Sequence, residues 1–287
     1  MSGTLEAAIA SVFRKNKLGA AAGMVVVAFI LVAALAPFIV PHDPLRGDLD
    51  NRLKPPAWME GGSTRHLLGC DQLGRDMLSR VIQGSRISLI IGVSIVSLTI
   101  IVGVALGLLA GYYEGTLDGV LSRVVDVLLA FPFLVFALGA ISGLGPGIGS
   151  LIIALSFKGW VDYYRVTRGE TMSAKVSDYI LAARSIGMNN RQIMTSEILP
   201  NIVPSAIVLG TFGMATMIVN EASLSFLGLG IQPPTPAWGS MVSAGREYLM
   251  NAWWISTFPG LAIVALVLSI NLLGEALRDA LDPRLRA

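Results

Sequence analysis

The chain has 287 residues, 54% of them hydrophobic and 14% charged, with a formal net charge of +2 and a mean hydropathy of +0.69. A soluble domain carries roughly 25% charged residues, and a nucleic-acid binder needs a concentrated basic surface; neither describes this chain. The single cysteine, Cys70, excludes an internal disulfide framework.

What charge there is falls into short zones that separate long uncharged runs, the pattern of spanning helices. The reading is an all-α polytopic membrane protein of six transmembrane helices, with membrane lipid as its surroundings. Residues 1–86 hold an N-terminal tail, the first span at 18–40 and a long polar loop. Ala34 and Ala36 give an A-x-A pattern, but Pro37 would follow the cut. The apolar run also exceeds a signal's usual core of about 7–15 residues, so the segment is an anchor. His66 and Cys70 in the following loop stand four apart and could touch a metal if helical. Two ligands leave a site incomplete, so no metal is expected there.

The second span, 87–113, carries Gly103, Gly107 and Gly111, a continuous GxxxG ladder. That spacing lets two backbones approach closely, either within the bundle or against another subunit. The third span starts near Val120, where Arg123 and Asp126 stand three apart and can pair on one helix face. The glycine-rich turn "SGLGPGIGS", with Gly143, Gly145, Pro146 and Gly147, separates it from a fourth span at about 148–164. The fifth span is 198–220 and the sixth 252–274. Between them 222–245 is uncharged, yet "QPPTPAWG" cannot continue as a helix and is expected to be irregular, at a membrane face or folded back between helices. Glu221 opens this segment. It is either an interfacial anchor or, with Gln232 and Trp238, part of the pathway or its outer mouth. A core of 87–275 and a tail of 276–287 complete the division.

Basic residues near the span ends set the orientation. Arg14, Lys15 and Lys17 precede the first span, Arg165, Arg168, Lys175, Arg184 and Arg191 lie between the fourth and fifth, and Arg278, Arg284 and Arg286 follow the sixth. These zones share one side, so both termini are expected in the cytoplasm. No HExxH, GxSxG or Walker A loop occurs, and the glycines around Gly145 do not form a dinucleotide fingerprint. The expectation is a non-catalytic chain that binds no cofactor.

The cytoplasmic stretch "YILAARSIGMNNRQIMTSEILPN", 179–201, is too patterned for a slack linker. Ala182, Ala183, Ile186 and Gly187 make a small-residue face at helical spacing. Asp178 is positioned to N-cap a first short helix, and Gly187 to end it in the left-handed conformation. Asn189 with Gln192 completes a capping-box pattern for a second. Leu199 and Pro200 then return the chain to the membrane. A rigid capped helix outside the bilayer is a handle for a cytosolic partner.

This stretch resembles the EAA loop of bacterial ABC-importer permeases. "HLLGCDQLGRDMLSRVIQGSRISL", "EASLSFLGLGIQPPTPAWG" and "NLLGEALRDALDPRLR" are similar to the dipeptide/oligopeptide/nickel branch, in the subunit with an extra N-terminal span and outer loop. The resemblance implies an inner-membrane permease paired with a homologous permease, two cytoplasmic ATPase subunits that bind ATP and Mg, and an extracytoplasmic solute-binding protein. It implies an ATPase-coupling role for Ala182, Ala183, Gly187, Ile198, Leu199 and Pro200. Leu181 stands where Glu is usual; with Asp178 as cap that exchange forfeits about 0.5–1 kcal/mol of helix stability. Cys70 likewise stands where Thr is common. The implied function is half of the pathway of an ATP-driven importer for di- or oligopeptides, with nickel or glutathione-like peptides as alternative solutes. A self-contained channel or secondary transporter would need a complete polar pathway in one chain, and a scaffold would not need the capped pair.

Overall fold

Apolar helices closed at polar or glycine-rich breaks make up the computed structural model, which describes residues 16–281. Arg14, Lys15, Arg284 and Arg286, used above for orientation, lie outside the described residues. Helix α1 (Lys17–Ile39) starts at Asn16, whose side chain accepts from the Gly19 N–H at 2.9 Å. Residues 40–76 follow as a looped outer layer with one short 3₁₀ turn, Leu49–Asn51. Among the described residues there is no strand, only an isolated bridge between Cys70 and Asp76.

Helix α2 runs Met77–Tyr113, well ahead of the expected start at 87. Asp76 caps it through the Ser79 N–H, and Arg80 is buried in the first turn, donating to the Pro44 carbonyl at 2.9 Å. Its 37 residues span about 56 Å, far beyond a hydrocarbon core of roughly 30 Å, so charged turns at its start are no obstacle.

The expected third span is broken. Helices α3 (Gly115–Ala130) and α4 (Phe133–Leu144) meet at 93°. The break falls at Pro132, which forces Phe131 before it into an extended conformation. The freed Phe131 carbonyl accepts from the buried ammonium of Lys158. Gly145 and Gly147, both at positive φ, then reverse the chain into α5 (Ile148–Lys175), which continues past the predicted end at 164.

Helix α6 (Asp178–Ser185) precedes α7 (Asn190–Phe226), one 37-residue helical run. The predicted turn at Leu199–Pro200 is absent because Ile193–Ile198 is π-helical, and the wider spacing makes room for a proline ring that would clash in a regular helix. The segment 222–245 is only partly irregular: α7 runs to Phe226 and α8 occupies Trp238–Gly245, leaving 227–237 without helix. Helix α9 (Trp254–Leu281) closes the described chain.

Of these helices 4 are long and apolar enough to cross a membrane, or 5 if the bent α3–α4 pair is one span. The expected fourth crossing, α5, falls outside that set and carries Lys158, Asp162, Arg165 and Arg168 along its length. Helix α2 and α5 form the closest pair. A Cβ on Gly103 would stand 2.6 Å from the Trp160 carbonyl oxygen, on Gly107 2.7 Å from that of Tyr164, and on Gly111 2.7 Å from that of Arg168. The glycine ladder therefore packs inside the chain, against α5.

Candidate functional site

Helix α6 and the first turns of α7 form a compact pair at one end of α2 and α5. The N-cap of α6 is Ser177 rather than Asp178, one residue earlier than expected, and its hydroxyl donates to the Ala174 carbonyl instead of capping. Asp178 is thus the first helical residue, where its charge still favours the helix N-terminus. Position 181 is no longer the capping-box partner, so Leu181 forfeits nothing there.

The exit from α6 is a Schellman turn. Gly187 at φ 86° donates to the Arg184 carbonyl and Met188 to that of Ala183. Asn189 then accepts from Gln192 N–H at 2.9 Å while the Gln192 side chain accepts from Asn189 N–H at 3.0 Å, a complete capping box. Ile180, Ala183, Ile193, Met194 and Ile198 turn inward onto Leu108 and Tyr112 of α2. The Tyr112 hydroxyl donates to the Asn190 side chain at 2.8 Å, and the Lys175 and Arg184 cations lie over its ring.

Opposite this buried seam the pair shows an apolar outward face. Leu181 is 50% and Ile186 80% exposed, with Ala182 and Gly187 beside them. The small-residue face read from the sequence is thus divided: Ala183 is buried in the seam and Ala182, Ile186 and Gly187 look out. Leu199 is half-buried and Pro200 exposed, whereas Ile198 has no exposed surface.

The residues assigned to a pathway or mouth separate. Gln232 is exposed, donating to the Gly228 carbonyl. Glu221 is 1% exposed inside the bundle and accepts from Ser225 Oγ at 2.8 Å, so it is not an interfacial anchor. Trp238 is fully buried; its indole donates to the Val81 carbonyl at 3.0 Å and its ring rests on Gly84. Within this chain it fastens α8 to α2. Arg123 and Asp126 do pair, at 3.7 Å on an exposed face.

In the outer layer Asp71 accepts from Arg75 at 2.7 Å and lies 3.6 Å from Arg80. Cys70 is buried and is not among the ligand atoms grouped at His66. His66 Nδ1 instead sits 2.9 Å from Asp76 Oδ1, with the His42 ring alongside. That grouping escaped sequence reasoning, because His42, His66 and Asp76 share no short-range spacing. The one available signal was that both histidines fall in the same loop.

A helical bundle of apolar spans with a capped, partly apolar helical pair beyond their ends has the architecture of a transporter's membrane component. Residues 103–287 match the family model of binding-protein-dependent transport system inner membrane components, and residues 8–56 match that of the N-terminal transmembrane domain of oligopeptide transport permease C. The chain belongs to the first of these families, the membrane-embedded, non-catalytic permeases of ABC importers. It is 44% identical to the di/tripeptide transport system permease of Pseudomonas aeruginosa, over 96% of this chain and 90% of that one. To the dipeptide transport system permease of Escherichia coli it is 46% identical, over 96% and 91%. A glutathione transport system permease of Pectobacterium atrosepticum is 40% identical over 96% and 90%. In fold, the chain is similar to a chain of the methionine ABC transporter MetNI in an inward-facing form, with a TM-score of 0.58 and 17% identity over 72% of this chain and 98% of that one.

Proposed function

We propose that this permease carries di- and tripeptides, forming one wall of a pathway whose other wall is a homologous permease. Two cytoplasmic ATPase subunits bind and hydrolyse ATP with Mg, and an extracytoplasmic binding protein delivers the solute. In this reading the chain crosses the membrane six times, with α5 as the crossing that carries charge and both termini in the cytoplasm. Residues 1–86 form the added N-terminal unit, 87–275 the permease core and 276–287 a cytoplasmic tail. Gln232 lies at the outer mouth, and Glu221 and Trp238 hold the helices around it.

The coupling role rests on the outward face of Leu181, Ala182 and Ile186, an apolar surface on a helix closed at its C-terminal end by a Schellman turn that leads straight into the Asn189–Gln192 capping box. Closure of the ATPases on ATP moves such a handle as a rigid unit, and the bundle switches its opening between faces. The peptide solute rests on the names of the relatives at 44% and 46% identity. Glutathione, itself a tripeptide, is the second reading, favoured by the relative at 40%.

Proteoliposomes holding this chain, its partner permease, the ATPases and the binding protein are expected to take up a radiolabelled dipeptide with ATP, and excess glutathione or Ni²⁺ to compete poorly. Gly187→Trp strains the left-handed turn at φ 86°, but a Cβ there meets nothing within 4 Å in this chain, so the variant should still insert yet lose uptake and solute-stimulated ATP hydrolysis. Normal coupling in that variant would overturn the ATPase contact. Uptake of glutathione in preference to dipeptide would select the second reading, and flux through this chain alone would restore the self-contained channel.

A further inference from the structure

The outer layer brings together three side chains that share no motif. The rings of His42 and His66 stand with centroids 4.6 Å apart and planes tilted by 35°. Both face one oxygen of Asp76: His66 Nδ1 lies 2.9 Å and His42 Nδ1 3.8 Å from Asp76 Oδ1. One ligand atom from each of the three residues lies within 4.8 Å of the others.

A tetrahedral site with metal–ligand bonds of about 2.0–2.1 Å holds its ligand atoms roughly 3.3–3.4 Å apart. The observed spacings bracket that value, so small side-chain rotations close the set around an ion. An ion would take the place of the proton that His66 Nδ1 shares with Asp76 Oδ1, leaving the His66 hydrogen on Nε2. Asp76 Oδ2 is committed to the first turn of α2, accepting from Ser79 N–H at 2.8 Å and Ser79 Oγ at 2.7 Å, which leaves Oδ1 aimed at the imidazoles. His42 Nδ1 is buried with no hydrogen-bond partner. The cavity they line has a volume of about 610 Å³, and Asp43, Asp48 and Asp76 in its wall balance Arg46, Lys54 and Arg65. A dication entering it meets no excess of positive charge.

Two imidazoles and one carboxylate suit borderline divalent ions of the first transition row, Zn²⁺, Ni²⁺ or Cu²⁺, better than Mg²⁺ or Ca²⁺, which prefer all-oxygen sites. We propose that His42, His66 and Asp76 form a binding site for such a cation, with a fourth position open to water. The ion would fasten the segment that leaves α1 to the N-terminus of α2. That segment is already held there by the His42 N–H donating to Ser79 Oγ at 3.0 Å. The site is independent of the transported solute.

The test uses the full chain with its partner subunits in detergent, any affinity tag removed, titrated with ZnCl₂ alone by calorimetry and by dialysis with metal analysis. One Zn²⁺ per copy of this chain is expected at micromolar affinity or tighter, together with a raised unfolding temperature. His42→Ala removes a side chain that makes no hydrogen bond of its own, so it should fold normally, lose at least about tenfold in affinity and lose the thermal gain. Asp76→Asn keeps an acceptor for the Ser79 N–H and should weaken binding comparably. Absence of stoichiometric Zn²⁺ in the wild type, or wild-type affinity in both variants, would overturn the site.

Discussion

Cys70 has no exposed surface, and the indole of Trp254 donates to its carbonyl at 3.0 Å. Burial, then the carboxylates of Asp76 and Asp71, push its thiol from an ordinary 9.0 up to about 12. Thiolate is the reactive form, so at pH 7.5 a maleimide should modify the native chain at least about 100-fold more slowly than the unfolded one. Equal rates would place Cys70 at the surface. The sign of the pH effect follows from the same shift. The unfolded thiol gives up its proton near 9.0 and the folded one near 12, so this residue's contribution is whole below 9.0 and is lost as pH rises toward 12. Cys70→Ala should flatten the alkaline limb of a pH–stability curve. At this scale the sequence was legible where the signal is local. Gly187 ends its helix and Asn189–Gln192 closes a capping box because both depend on near neighbours alone. His66 was matched to Cys70 by helical spacing, but that stretch is a series of turns, and spacing carries no meaning without the helix.

The α2–α5 seam gives the clearest prediction among elements. A methyl on Gly107 would lie 2.7 Å from the Tyr164 carbonyl oxygen and 2.8 Å from Thr167 Cβ, positions fixed by backbone on both sides. Gly107→Ala should therefore destabilise the chain by about 1–3 kcal/mol. Gly119→Ala in α3, where a Cβ meets nothing within 4 Å, should be neutral or slightly stabilising through helix propensity. Unfolding in mixed micelles compares them, and an intact Gly107→Ala would show that the helices can part without loss. The ladder and the cores of the helices were legible; their ends were not. Hydropathy stops at the first charge, whereas α2 begins at Met77 with Arg80 buried and bonded, and α5 runs on through polar turns to Lys175. Pro200 read as a stop because a π-helical stretch cannot be foreseen from a single proline. Pro132 could have been read as the break it is, had the apolar run around it not masked the signal.

For the whole molecule, the outer layer and the α6–α7 pair should lie on opposite sides of the membrane. Thr64 and Ile186 are exposed in those two regions. In intact spheroplasts an impermeant maleimide should label Thr64→Cys, while Ile186→Cys should react only after permeabilisation. The reverse pattern would invert the topology. The class was readable from where the apolar residues fall, but the number of crossings was not, since α5 mixes Lys158, Asp162 and Arg165 into an otherwise apolar helix. The glycine seam has a mechanical consequence. Where two backbones touch with no side chain between them, nothing soft is left to compress, so α2 and α5 act as one beam. The 28 residues of α5 make it about 42 Å long, and it joins α6 through Val176 and Ser177 alone. A displacement of the α6–α7 pair would therefore be carried along α5 with little loss to side-chain compression. There the chain's compliance is gathered in the bare loop at Gly145–Gly147 and the right angle at Pro132. In the proposed coupling cycle, stiffness at one end and give at the other would turn a small stroke at the α6–α7 pair into a movement of α4.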